Sequence, residues 1–394
     1  MPSNADDFVD SIGINVHLHN GNTLYGNFPI IFTALRDLGI RHTRDGLINT
    51  TWEEYYRRHA QLAANGIRCL FITSPDDTDA QLLRFTEKVS GAVEGFETPN
   101  EYDSSGDSNW AAKLSGYMPR LMVTAASIPS SHRITIVGPS LVTADGYKKV
   151  PGLAPDFDEA NMHNYFGGHN PGTPGWGDNG YGSISWNLAL SEKAWGNKPV
   201  VTTETGYLTD MRVEQSIGES LQAVYTPRIF LEQALHGIQR TYLYELADGN
   251  DVVPQNERSF GLLRDDGSRK PAFYAVQRLV RLLSDPGPRF SPSPVELELG
   301  PAVPGLHHLL FQKRNGLFYL AFWLELSSFD QQSRKGITIQ PVAVTLHTRS
   351  HIRSAHLFSL DPNLPAEGIS LDVSKNLPLT ASVNVSILEF DLAH

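Results

Sequence analysis

A short β-rich run, a polar loop and a helical stretch recur in that order from about residue 11 to residue 285, and this alternation constrains the fold more than any other property of the chain. The β-rich runs cover residues 12–16, 40–44, 68–72, 93–97, 134–137, 159–163, 199–203 and 240–245. Helical patterns fall between them, at 29–38, 52–65 and 78–89 for the first three. Several helices close on a glycine just before the next run, at Gly39, Gly66 and Gly237, where a left-handed cap costs least. Eight such units predict an α/β chain whose residues 8–285 form a (β/α)8 TIM barrel. In that fold functional side chains collect where strands end and helices begin.

The texture changes after a helix expected over residues 270–284. Residues 286–294 are rich in proline and read as a linker that can continue neither helix nor sheet interior. Strands are then expected at 307–313, 317–326, 337–346, 354–359, 369–373 and 382–392. Arg314-Asn315-Gly316-Leu317 reads as a hairpin with a type I′ turn. Residues 295–394 are therefore expected to form a smaller all-β sandwich domain, a structural companion packed on the barrel. A chain of 394 residues, 40% hydrophobic, holds enough apolar material for both units.

A formal charge of -11 leaves no basic stripe to grip phosphates and argues against a nucleic-acid partner. No apolar run approaches the roughly 18 residues that cross a bilayer, so no membrane partner is expected. Cys69 is the only cysteine, which rules out an intrachain disulfide and a thiolate zinc cluster and points to core filling. The polar, acidic start from Met1 to Asp7 lacks the features of a signal peptide. An exported protein whose leader has been removed is the favoured expectation, and a cytoplasmic one the alternative. No cofactor motif is present, and the sequence carries no mark of oligomeric state.

Two glutamates stand at the ends of β-rich runs. Glu101 lies in Glu97-Thr98-Pro99-Asn100-Glu101-Tyr102 after the fourth run, and Glu204 in Thr202-Thr203-Glu204-Thr205-Gly206-Tyr207 after the seventh. On one rim of a barrel the two carboxylates can flank a single bond. A pair about 5 to 5.5 Å apart is the equipment of a retaining glycosidase, one group as acid and the other as nucleophile.

The Asn-Glu pair at the fourth run and the glutamate at the seventh resemble the retaining glycoside hydrolases of clan A, the 4/7 superfamily, over residues 8 to 285. The resemblance implies that Glu101 is the acid/base, Asn100 a donor to the sugar 2-hydroxyl and Glu204 the nucleophile. It also implies an arginine beside the nucleophile, here Arg44, and a His-x-Tyr, here His163 and Tyr165, whose tyrosine hydroxyl bonds the nucleophile. Glu97 is expected to be a buried structural carboxylate.

His17 and His19 follow the first run, where such barrels place sugar-contacting groups. Tyr207 is a further substrate-binding candidate. Trp176, on the glycine- and aromatic-rich loop after the sixth run, is the first choice for stacking on a pyranose. The eighth run departs from the family, because it reads Tyr242-Leu243-Tyr244-Glu245 where a tryptophan is usual; Glu245 is a candidate for substrate contact there.

The expected function is retaining hydrolysis of a β-linked oligo- or polysaccharide without cofactor or metal. A transglycosylase or an inactive carbohydrate-binding barrel is the alternative. A metal-dependent amidohydrolase, suggested by His17-Leu18-His19 with His163 and Asp248, is a minor one, since the fourth run offers no bridging lysine and the fifth no histidine.

Overall fold

The computed structural model describes residues 1–89, 91–130 and 133–393. Eight parallel strands form one sheet: β1 (Ile12–Asn15), β2 (His42–Gly46), β3 (Arg68–Ile72), β4 (Val93–Glu97), β5 (Thr135–Val137), β6 (Ala160–His163), β7 (Val200–Thr205) and β8 (Arg240–Leu243). Hydrogen-bonded neighbours run β5-β4-β3-β2-β1-β8-β7-β6. A parallel bridge between Val137 and Glu159, with Gly138 N–H donating to Glu159 C=O, closes the sheet between β5 and β6. The result is the expected TIM barrel.

Its helices form because each presents an apolar stripe to the strands. Pro271–Leu283, for example, buries Ala272, Phe273, Val276, Leu279, Val280 and Leu283 on one face. The glycine caps occur as expected, with φ of 76° at Gly39, 78° at Gly66 and 77° at Gly237. Inside the barrel Leu70, Val137, Val201 and Tyr242 form a small separate cluster, so the lower part of the lumen is packed.

The C-terminal residues form antiparallel sheets. A larger sheet has the order Ser3–Asn4, Leu306–Gln312, Phe318–Leu324, Ser386–Leu392, Ile352–Ser359, Ile369–Ser370, and a smaller one Leu297–Gly300, Val342–Thr348, Asn376–Ala381. Several features differ from the sequence reading, among them strands Leu297–Gly300 and Asn376–Ala381 where none is expected and a strand at Ile369–Ser370 shorter than the expected 369–373. Residues 3–4, ahead of the expected barrel, pair in parallel with Phe311 and Gln312; a two-residue polar strand leaves no periodic signal. The strand expected at 337–346 begins only at Val342, because Pro341 precedes it and residues 337–341 are mostly exposed. In the 313–317 hairpin only Gly316 is left-handed (φ 86°), with Gly316 N–H donating to Lys313 C=O and Lys313 N–H to Leu317 C=O. That is a three-residue loop with a glycine bulge and not a type I′ turn.

Strand Phe318–Leu324 shows how the two parts join. Every residue in it is buried, because the strand has a core on each face. Phe318, Leu320, Phe322 and Leu324 point into the core between the two sheets. Tyr319, Ala321 and Trp323 point the other way and belong to the same cluster as the barrel helices. Across this contact Arg228, on barrel helix Glu219–Leu235, meets Glu325 at 2.6 Å with both side chains buried. Glu325 also accepts from Asn170 Nδ2, Gly172 N–H and Trp323 Nε1.

A buried pair of this kind is costly to break from one side, because the surviving charge stays buried without a partner. Replacing Glu325 by alanine is expected to lower the unfolding free energy by about 3–5 kcal/mol. Urea denaturation followed by tryptophan fluorescence measures this; a loss below about 1 kcal/mol would show that the contact does not hold the two parts together.

Candidate active site

Arg44, near the end of β2, stands in the barrel lumen and is 1% exposed. All five of its N–H groups are used. Nε and Nη2 donate to the two oxygens of Glu97 at 2.5 and 2.8 Å. Nη1 donates to Asn15 Oδ1 at 2.9 Å and to Glu204 Oε1 at 2.6 Å. The last Nη2 hydrogen goes to Asn100 Oδ1 at 2.7 Å. One guanidinium thus orients two glutamates and the asparagine of the Asn-Glu pair. With Oδ1 occupied, Asn100 has only its amide N–H groups left to offer a ligand.

Glu204 is set by β7. The pairing of β7 with both neighbours shifts register at this end, between Met162 and His163 on β6 and between Thr202 and Thr205 on β7 itself. Such irregularities re-aim side chains. The Glu204 carboxylate receives Arg44 on Oε1 and the Tyr165 hydroxyl on Oε2 at 2.8 Å. Burial alone would raise its pKa. The facing His163 and Arg44, with the hydrogen bonds from Tyr165 and Arg44, outweigh burial and bring it down to about 2.

Glu101 follows β4 in a left-handed backbone conformation, φ 42° and ψ 44°. Its side chain is 34% exposed against 11% for Glu204. Glu101 Oε1 lies 2.8 Å from His163 Nδ1. The hydrogen-bond pattern settles the protonation of the other ring nitrogen. Asn161 Nδ2 donates to Glu97, so Asn161 Oδ1 must be an acceptor; the Thr203 hydroxyl, 2.8 Å from it and 3.1 Å from Glu97 Oε1, has only acceptors to donate to. Thr203 Oγ1 must then accept from His163 Nε2, 3.0 Å away. One further proton is needed between His163 Nδ1 and Glu101, so this pair holds a proton beside the ionised Glu204.

One oxygen from each glutamate and His163 Nδ1 all lie within 4.8 Å of one another. The two glutamates open on a cavity of about 600 Å³, lined also by His17, Arg44, Asn100, Tyr165, Tyr207 and Tyr244. That size suits a small organic ligand. Tyr244 stands in an aromatic wall between Tyr165 and Phe260, ring centroids 6.4 and 5.5 Å away.

Three candidates from the sequence lie elsewhere. His19 Nδ1 is 3.3 Å from Asp45 Oδ1, behind the β2 end, and the ring does not line the cavity. Trp176 stacks on His169 at 4.8 Å and packs against Gly167 and Gly182, so its ring fastens its own loop. Glu245 is 4% exposed and faces away from the cavity. It accepts from Tyr25 Oη at 2.7 Å, and burial pushes its pKa up to about 8. His17 stands between Glu245 and the cavity, its Nε2 3.3 Å from Glu245 Oε2. Tyr207 contributes its ring to the wall while its hydroxyl tethers the next loop through His169 C=O at 2.6 Å.

Asn15, Asn161 and Thr203, which complete the lumen network, were not singled out from the sequence. Their signal was a polar residue inside a run otherwise destined for burial. The set needed for a metal hydrolase does not converge, since Asp248 is held by Lys270 Nζ at 2.7 Å and His17 and His19 face Glu245 and Asp45. Glu101, His163 and Glu204 could approach a cation together, and Arg44 already stands against Glu204 there.

No protein-family model matches the sequence, and no curated protein is significantly similar to it. Solved structures share its fold along the whole chain. A family 39 glycoside hydrolase from Bacteroides cellulosilyticus WH2 is 16% identical with a TM-score of 0.67, over 98% of this chain and 82% of that one. A glucosidase from Croceicoccus marinus is 10% identical, TM-score 0.64, over 100% and 97%. A monomeric β-xylosidase from Caulobacter crescentus CB15 is 14% identical, TM-score 0.59, over 99% and 97%. At these identities the likeness is one of fold.

Because the Glu204 pKa is depressed in the folded chain, its contribution to stability is present above pH about 4.5 and is lost as pH falls toward about 2. Tyr165→Phe removes one bond to the ionised form. The Glu204 carboxyl should then titrate roughly one unit higher by carbon-13 NMR. An unmoved titration would mean that the Tyr165 hydroxyl does not stabilise this carboxylate.

Proposed function

We propose that the chain is a glycoside hydrolase that cleaves β-linked glycans with retention of configuration. The observation that carries this is the pair of carboxyl groups with an oxygen of each within 4.8 Å of the other, one buried and held ionised, the other more exposed and 2.8 Å from an imidazole. Inverting enzymes hold their carboxyl groups about 6.5–9.5 Å apart, to admit a water between the second carboxylate and the sugar. A spacing this short favours direct attack.

In the first step Glu101, carrying its proton, gives it to the glycosidic oxygen as that bond breaks. A Glu204 oxygen forms a bond to the anomeric carbon from the opposite face, and the aglycone leaves as an alcohol. In the second step Glu101, now a carboxylate, takes a proton from water; the hydroxide oxygen bonds the anomeric carbon and Glu204 is released ionised. Arg44 and Tyr165 hold Glu204 in line before attack and receive its returning charge afterwards. The Asn100 amide is placed to donate to a hydroxyl beside the reacting carbon.

The fold shared with a β-xylosidase and a glucosidase makes aryl β-xylosides and β-glucosides the first substrates to try. Glu204→Ala should lower turnover of a 2,4-dinitrophenyl β-glycoside by at least about 10³-fold, and azide should restore it with formation of the α-glycosyl azide. Glu101→Ala should retain more activity on that substrate than on a natural oligosaccharide, since a good leaving group needs no proton. Near-normal turnover by the Glu204 variant would end this assignment. A dominant transfer product in the presence of added sugar acceptor would instead mark a transglycosylase, which shares the same intermediate.

A further inference from the structure

Among the described residues only three other than glycine adopt positive φ: Glu101 (42°), Gln215 (67°) and Arg334 (56°). Each such conformation costs on the order of 1–2 kcal/mol and persists where surrounding structure imposes it. Glu101 is the proposed acid. Gln215 lines the same cavity, yet Arg334 belongs to the C-terminal β region, over a hundred residues further along the chain.

Arg334 lies in the turn of a small hairpin, Phe329–Asp330 paired with Lys335–Gly336. The hairpin is docked on the barrel by Ser328 N–H, which donates to the Tyr225 hydroxyl at 2.7 Å. From there the Arg334 guanidinium donates to Met211 C=O at 2.8 Å and to Val213 C=O at 2.7 Å. Those carbonyls belong to the loop after β7. Residues 206–218 have no helix or strand of their own, and Val213, Glu214 and Gln215 line the cavity. Among the described residues, Arg334 supplies the hydrogen bonds that reach 211–216 from outside the segment 206–218.

The same turn touches the opposite wall. A Cβ at Gly168 would lie 2.8 Å from the Gln331 side-chain amide and 3.0 Å from Gln215 C=O. The loop after β6, the loop after β7 and the hairpin turn thus meet at one cavity-lining glycine, whose own φ is 81°.

We propose that the Gln331–Arg334 turn is a specificity element of the catalytic pocket, with Arg334 a positioning residue: it holds 211–215 against Gly168 and so sets the outer wall that grips the part of the glycan beyond the cleaved bond. The proposal rests on the glycosidase reading. It gives the C-terminal β region a part in substrate selection although none of its residues lines the pocket. The cleavage chemistry, built on β2, β4, β6 and β7, is independent of this wall.

Arg334→Ala and Arg334→Lys in the full chain test it. In the alanine variant, amide hydrogen exchange over residues 209–217 should accelerate about tenfold, with the barrel strands unchanged. KM for xylotriose or cellotriose should rise about tenfold, the weight of a charged hydrogen bond to a carbonyl, while kcat on the matching 2,4-dinitrophenyl β-glycoside stays within about twofold. Lysine, which can still donate to both carbonyls, should recover most of both effects. A merely structural role would lower the melting temperature without separating KM from kcat. Unchanged exchange over 209–217 overturns the proposal, as does faster exchange with an unchanged KM. If the unaltered chain turns over no dinitrophenyl glycoside, the glycosidase reading fails, and the exchange data alone decide whether Arg334 holds the wall.

Discussion

A single guanidinium organises the lumen. Arg44 is buried, and desolvating a cation there would be prohibitive without compensation; its two carboxylates and two amide oxygens supply it. The compensation also does chemical work. Glu97 takes the bidentate side of the fork and is thereby fixed as a structural anion, while Glu204 takes a single N–H and keeps its second oxygen for Tyr165 and the cavity. The same cation that offsets charge on the buried carboxylates holds one glutamate ionised and orients the asparagine that precedes the other. Removing it would disturb fold and site at once.

Around that centre the two carboxyl groups differ by environment. Glu204 is deep and surrounded by donors. Glu101 stands at the mouth on a strained residue, against an imidazole whose far nitrogen is committed to Thr203. The proton assigned between His163 and Glu101 follows from the hydrogen-bond inventory of Asn161 and Thr203, two uncharged residues that do not line the cavity. Two carboxyl groups of unlike environment are thus produced by neighbours more than by the glutamates themselves.

The sheet that follows the barrel is joined to it as a second layer. Strand Phe318–Leu324 is apolar at every position because alternate residues serve two different cores. The Arg228–Glu325 pair closes the seam, and the hairpin at 329–336 extends it to the loops of the pocket.

Much of this was legible in the residues. The β/α alternation, glycine caps and proline-rich boundary are local signals, carried by periods of two and 3.6 residues and by backbone preferences, and they led to the barrel and the following sheets. The two glutamates at strand ends were legible for the same reason. Which rim residues face the cavity was not. Trp176 turned onto its own loop, His19 onto Asp45 and Glu245 behind His17, since a loop side chain is placed by neighbours distant in sequence. Arg334 is the extreme case, an arginine in a turn whose partners lie over a hundred residues away. The order of strands and the identity of the acidic pair belong to the sequence, because short-range periodicity and side-chain chemistry encode them. The protonation of the pair and the shape of the pocket wall belong to the folded chain, because both depend on distances that no local pattern records.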